Sequence, residues 1–349
     1  MNPILVEAWR GNAVESFHRG AFALVDAAGT VVASRGDTLR PIFARSAIKI
    51  LQALPLVESG AADRFGLTAA ELALACASHG GEPEHTQMAA SMLSKAGLDD
   101  RVLECGSHWP YHEPAKLALA AAGVRPSALH NNCSGKHAGF VCLGCVMAGE
   151  REHRNFLGGY VQPQHAVMRE VSAAVASATG FDLATAPVGT DGCSIPSHAI
   201  PLHNLAHAFA RVATGHGLSP GRAAAARRLR AAVASAPHMV AGRGRLDSRV
   251  MALFGQRVCC KVGAEGVYCA ALPDAGLGLA LKMDDGNNAR ACEVAFAALI
   301  EALRVARSDA EHALLAELSN VSLLNWRGIE VGRLAAGPEL RRTLLQAGA

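Results

Sequence analysis

"RVCCKVGAEGVYCAALPDAGLGLALKMDDGN", residues 257–287, sets three short apolar runs around two turn-forming clusters, Ala264-Glu265-Gly266 and Pro273-Asp274-Ala275-Gly276. Short apolar runs rich in Val, Tyr and Leu and bounded by Gly or Pro read as strands, because helices need more length. The spacing predicts strand, turn, strand, turn, strand. Near the other end, "VESFHRGAFALVDAAGTVVASRGD" (14–37) alternates apolar and polar residues around Ala27-Ala28-Gly29-Thr30, the pattern of a β-hairpin. Between these ends lie Ala/Leu/Met-rich segments with helical patterning at 68–77, 84–97, 115–122, 137–150, 164–179 and 203–234, and a last helix is predicted over 287–307. The order argues for an α+β fold, with one antiparallel sheet built from residues 4–36 and 257–283 at both chain ends and a helical middle region between them. No repeat or low-complexity linker divides the chain, so residues 1–349 are expected as a single domain with a helical subregion over roughly 65–250.

Composition narrows the function classes. The chain has 349 residues, is 50% hydrophobic and carries a formal net charge of +3, enough apolar material for one large core or two moderate ones. Its Lys and Arg are scattered. The densest basic patch, Arg227-Arg228-Leu229-Arg230, fits the solvated face of an Ala-rich helix, so no nucleic-acid partner is expected. The start, "MNPILVEAWR", lacks a signal-peptide pattern, and no apolar run approaches the ~20 residues of a membrane span, so a cytoplasmic protein without a membrane partner is expected. Ten cysteines are spread along the chain, several within apolar runs (Cys76, Cys142, Cys145, Cys269), as reduced core thiols are.

Chemistry enters at "RSAIK" (45–49). If the stretch after Pro41 is helical up to Pro55, Ser46 and Lys49 share a face, and Ser46 sits in the first turn, where backbone N–H groups stabilise a developing oxyanion. Serine becomes a nucleophile when a neighbour takes its proton, and a lysine does so once its pKa falls from ~10.4 towards ~7–8. The same spacing also describes a capping serine beside a snorkelling lysine. A second serine, Ser78, enters the Gly80-Gly81 loop of "CASHGGEPEH" (76–85), where an ordinary helix stop is the competing reading.

"NNCSGKH" (131–137) brings Cys133, Lys136 and His137 within one turn at a helix start that Asn131 or Asn132 could cap. Polar groups crowded there beside the apolar "AGFVCLGCVMAG" need partners if buried, which favours a functional role. A thiolate near Lys136 would have a depressed pKa, suited to metal binding or nucleophilic attack. "GTDGCSIPSHAIPL" (189–202) adds Asp191 and Cys193 in a Gly-rich turn, and "HMVAGRGRLD" (238–247) adds Arg243 and Arg245, a loop able to hold a carboxylate.

Ser-x-x-Lys after an N-terminal hairpin, then a helical middle and a Lys-x-Gly strand (Lys261-Val262-Gly263), resembles the ground plan of serine β-lactamases, although a Ser-Asp-Asn element is missing and Lys-Val-Gly departs from Lys-Thr-Gly. More specifically, "RSAIK", "CASHGGEPEH", "NNCSGKH", "GTDGCSIP", "MVAGRGR", "KVGAEGVY" and "LKMDDGN" resemble, in order, the motifs of class 3 (rhizobial-type) L-asparaginases, whose fold is similar to that of serine β-lactamases and glutaminases. The likeness runs from about residue 10 to 305.

That resemblance implies two Ser/Lys pairs, Ser46 with Lys49 and Ser78 with Lys261, and one zinc ion per chain held by Cys133, Lys136 and Cys193. It implies substrate contacts at Arg45, His137, Asp191 and Arg245, L-asparagine as substrate, and a homodimer. Asp247 stands where some members have a further cysteine. The implied reaction is a double displacement: Ser46 attacks the side-chain amide, ammonia leaves, and water hydrolyses the resulting β-aspartyl ester to L-aspartate. Two alternatives stay open, another Ser/Lys amidase or esterase (glutaminase or β-lactamase-like) and a non-catalytic zinc-binding regulator.

Overall fold

A computed structural model describes residues 1–347 of the chain. Its strands, in chain order, are β1 (Ile4–Arg10), β2 (Ala13–Asp26), β3 (Val31–Arg35), β4 (Pro41–Phe43), β5 (Val188–Thr190), β6 (Pro196–Pro201), β7 (Cys259–Gly263), β8 (Val267–Leu272), β9 (Leu277–Met283), β10 (Asn320–Leu324) and β11 (Glu330–Ala336). Contacts group the chain into two compact units: Met1–Ala47 with Ile200–Thr214 and Cys260–Ala349, and Ile48–Ala199 with Gly215–Cys259.

The first unit is built on the sheet expected from both chain ends. Its order is β10-β11-β1-β2-β9-β8-β7, with β3 beside β2. β2 and β9 pair antiparallel, Phe22 opposite Leu281 and Leu24 opposite Leu279, so residues about 260 positions apart in sequence are cross-strand neighbours. The strands of 257–287 fall where the turn clusters place them, and β7 and β8 are buried along their whole length although β7 is the last strand of the order. The Leu202–Thr214 helix covers β9: a side chain at Gly278 would collide with the Ala206 carbonyl and the Ala210 amide, so glycine lets helix and strand touch backbone to backbone. The hairpin β10–β11 extends the sheet at β1 beyond the strands the sequence pattern predicts. Its sides alternate weakly, and most of its residues are exposed or half-buried.

The second unit is mainly helical. At its centre the Ser134–Ala148 helix is buried on nearly every face, as its apolar sequence requires. The Ala69–Ala75, Pro83–Lys95 and Ala166–Thr179 helices pack around it. Gly135 brings it against the Ala69–Ala75 helix, where a Cβ would meet Leu74, its carbonyl oxygen 2.5 Å away.

Three predicted helices are corrected. The run 203–234 is two helices, Leu202–Thr214 and Pro220–Ser235, because Gly215 and Gly217 take positive φ and Pro220 opens a new first turn. The segment after Pro41 is broken into a 3₁₀ turn at Arg45–Ile48 and short helices at Lys49–Gln52 and Leu54–Glu58. Pro55 starts the last of these instead of stopping a longer one. The last helix is shorter than 287–307, with a π turn at Asn288–Cys292 followed by Glu293–Ala302. All ten cysteines are free and buried.

Candidate active site

In the helical unit, Lys49 begins the Lys49–Gln52 helix and is almost wholly buried. Its Nζ donates to the Ala77 carbonyl at 2.5 Å, to Ser78 Oγ at 2.8 Å and to Cys133 Sγ at 3.0 Å. Ser78 is held by its backbone, its N–H donating to the Val240 carbonyl at 2.8 Å while the next N–H, of His79, reaches the Asn132 carbonyl at 3.1 Å. The helix before it ends at Ala75, so Gly80 and Gly81 are not its stop. Gly81 takes φ +75 and passes close to Pro110 and the His130 carbonyl, which turns the chain away after Ser78.

Cys133, not an asparagine, is the residue that precedes the Ser134–Ala148 helix. Asn131 acts one step earlier, its Oδ1 accepting from the Cys133 N–H at 2.9 Å and its Nδ2 donating to the Cys105 carbonyl at 2.8 Å. Cys133, Lys136 and Cys193 are together. Lys136 Nζ lies 3.0 Å from Cys193 Sγ, and the two sulfurs are hydrogen-bonded to each other. That interaction, with the charges of Lys49 and Lys136, outweighs burial and holds the Cys133 thiol well below its ordinary pKa. Cys193 is shifted up, chiefly because it is the donor to Cys133. Burial alone would lower Lys136, but its interactions with Cys193 and Cys133 raise it. A further buried thiol, Cys105, is pushed up to about 12 by burial and by the Cys133 charge.

No group of three or more His, Cys, Asp or Glu side chains able to hold a metal occurs among the described residues. The donor set at Cys133 and Cys193 is instead two soft sulfurs with an amine, and two thiolates beside a lysine fit zinc by donor chemistry once the amine gives up its proton.

His137 is wholly buried, and burial with the nearby Lys136 and Lys49 charges holds its pKa well below the ordinary value. Asp191, half-buried in the turn between β5 and β6, receives the Gly192 N–H at 2.7 Å, and its charge acts on Lys136. Arg245 is exposed at the start of the Leu246–Phe254 helix, whose first turn holds the buried Asp247. Arg243 is engaged with Glu84 at 2.5 Å and with Glu82. A Ser/His pair also lies here, His79 Nε2 and Ser134 Oγ at 2.9 Å, but His79 Nδ1 accepts the Gly81 N–H, so Nε2 is the protonated nitrogen and the histidine donates to the serine. It is no base for Ser134.

In the sheet unit, Arg45 and Ser46 lie on the 3₁₀ turn after β4, with Arg45 at φ +50. Lys261 is buried on β7, its Nζ donating to the Val262 carbonyl at 2.8 Å. Beside it, a Cβ on Gly263 would lie 2.6 Å from the Ala44 carbonyl oxygen and 3.1 Å from the Ala47 amide nitrogen. The glycine of Lys-Val-Gly therefore lets β7 lie against the backbone that carries Ser46.

Tyr160 and Glu104, around His137, are residues the motifs do not single out. Their one sequence signal is a tyrosine directly after Gly158-Gly159, which reads as a turn.

Buried lysine, serine and cysteine side chains gathered in polar clusters are groups able to do acid–base or nucleophilic chemistry, and the class of that chemistry comes from the family, which supports a hydrolase acting on amides. The L-asparaginase II family model matches residues 6–336, and the chain belongs to that family. No curated protein matches the chain. Among solved structures, Mglu in its native form aligns with 17% identity over 88% of this chain and 70% of that one, with a TM-score of 0.37. Mglu in its tris and glutamate form gives 16%, 88%, 64% and 0.35.

Proposed function

We propose that the chain is an L-asparaginase working by a Ser/Lys double displacement, on a fold of the serine β-lactamase kind. The observation that carries this is the buried Lys49 Nζ, 2.8 Å from the Ser78 hydroxyl, in a member of the L-asparaginase II family. Ser46, three residues before Lys49 in the chain, attacks the side-chain carbonyl carbon of L-asparagine, and Lys49, acting as the neutral amine after its ammonium has released one proton to solvent, takes the serine proton. The C–N bond breaks as the proton passes to nitrogen, ammonia leaves, and a β-aspartyl ester of Ser46 remains. Water adds to that ester and restores the serine with release of L-aspartate. Ser78, held by Lys49, and Lys261 relay protons or place positive charge near the reacting groups. Arg45 and Arg245 serve the substrate carboxylate, and Asp191 its ammonium.

Cys133, Lys136 and Cys193 would hold one zinc ion per chain, which when bound supplies positive charge to organise the site. The attack itself needs the serine and lysine side chains alone. The enzyme is proposed to act as a homodimer. Turnover of L-asparagine, L-glutamine and a chromogenic β-lactam by the purified chain tests the reading. L-Asparagine as the preferred substrate is expected. Faster hydrolysis of either other compound assigns the site to the rival amidases, and no turnover with zinc still bound would leave a zinc-binding regulator.

A further inference from the structure

Tyr160 follows the Gly158-Gly159 turn and is wholly buried. Glu104 grips that turn on both sides, its Oε1 accepting the Gly159 N–H at 2.7 Å and its Oε2 the Val161 N–H at 3.4 Å. The backbone N–H of Glu104 in turn donates to the Tyr160 hydroxyl oxygen at 3.0 Å. With that oxygen accepting an amide, the hydroxyl has one proton left to give, and His137 Nδ1 lies 2.7 Å away. A proton on Nδ1 would leave both the hydroxyl proton and the Nε2 lone pair without partners, whereas a proton on Nε2 leaves that N–H alone unpaired, so Nδ1 is the acceptor and the ring proton sits on Nε2. His137 Nε2 is itself buried and has no hydrogen-bond partner among the described residues. A buried N–H without an acceptor is costly, and an oxygen of a bound ligand relieves that cost.

We infer that Tyr160, anchored by Glu104, is a positioning residue that locks His137 into the Nε2–H tautomer and so presents a fixed N–H donor to an oxygen of the amide substrate. The inference rests on the amide-hydrolase reading above for its ligand, but the lock itself is a property of the protein alone. It has a chemical consequence. With its lone pair turned to Tyr160, His137 can donate to a carboxylate or carbonyl oxygen but cannot take a proton from a nucleophile through Nε2. It is a binding group, and the base must be found elsewhere.

The test uses the full chain labelled with ¹⁵N-histidine, the imidazole signals of His137 being assigned by their loss in His137→Gln. The wild type should show the Nε2–H tautomer, and Tyr160→Phe should show a shift towards Nδ1–H or a mixture. In the same variant KM for L-asparagine should rise about five- to ten-fold, the scale of one hydrogen bond lost in substrate binding, with kcat changed less than about two-fold. An Nδ1–H tautomer in the wild type overturns the inference, whether or not the variant folds. So does a folded Tyr160→Phe protein with unchanged KM, or one in which kcat alone falls. Absence of L-asparagine turnover together with the Nε2–H signal in the wild type would refute the proposed substrate and uphold the lock.

Discussion

Ser46→Ala should lower kcat for L-asparagine by at least ~10³, the scale of losing a nucleophile, with the circular dichroism spectrum unchanged. Near-normal turnover would remove Ser46 from that role. Ser78→Ala should be comparably harmful, since its hydroxyl is a direct partner of Lys49 and groups that act as a unit lose activity together. The cysteines carry a separate expectation. Elemental analysis should find about one zinc per chain, lost in Cys133→Ala and in Cys193→Ala, because a tight site needs both sulfurs. Thorough metal removal should raise KM more than it lowers kcat. An apoprotein without activity that zinc fully restores would make the metal the catalyst and the serines its support.

At the scale of elements, two glycines decide how the site-bearing segments are held. Alanine in place of glycine within a helix ordinarily stabilises by up to ~1 kcal/mol. Gly135→Ala should do the opposite, destabilising by about 1–3 kcal/mol, because the new methyl meets the Leu74 carbonyl 2.5 Å away in the neighbouring helix and backbone cannot yield as a side chain can. A lower urea midpoint at unchanged m-value would show it, and a raised midpoint would mean that the two helices separate freely. Gly263→Ala should act on the sheet unit in the same way, since its Cβ would meet the Ala44 carbonyl oxygen at 2.6 Å. Displacement of the turn carrying Ser46 should then cost activity as well as stability.

For the whole molecule, buried titratable groups set a slope of stability with pH. His79 and His85 are held below the ordinary histidine value of 6.5, by burial first and for His79 by neighbouring positive groups as well. Burial raises Glu71, but Lys95 at 2.6 Å, the Thr68 N–H and the Ser91 hydroxyl outweigh it and leave the carboxyl below its ordinary 4.5. In each case the unfolded chain binds the proton first as pH falls, so the folded state loses stability on acidification. The loss should begin below about 6.5 with the histidines and steepen below about 4.5 with Glu71. Urea unfolding midpoints across that range should fall in those two stages, and Glu71→Gln should flatten the lower one. Stability that rises on acidification would contradict the buried, neutral histidines.

The sequence by itself determined the strands of 257–287 and 14–37 and their union in one antiparallel sheet, because short apolar runs closed by Gly and Pro have few ways to bury both faces. That Cys133 and Lys136 go with Cys193 came from the likeness of these motifs to class 3 L-asparaginases, since no spacing joins residues 57 positions apart, and the structure sets Lys136 Nζ 3.0 Å from Cys193 Sγ. Helix limits were less legible. The Gly215–Pro220 break was written in the chain, but the Ala-rich stretches on either side of it read together as one helix, and the β10–β11 hairpin has too little alternation to announce itself. Tertiary structure alone decided that Lys49 reaches Ser78 and Cys133, residues 29 and 84 positions away. It alone placed Tyr160 on His137. Such contacts depend on how buried helices and turns pack in space, which no local period records.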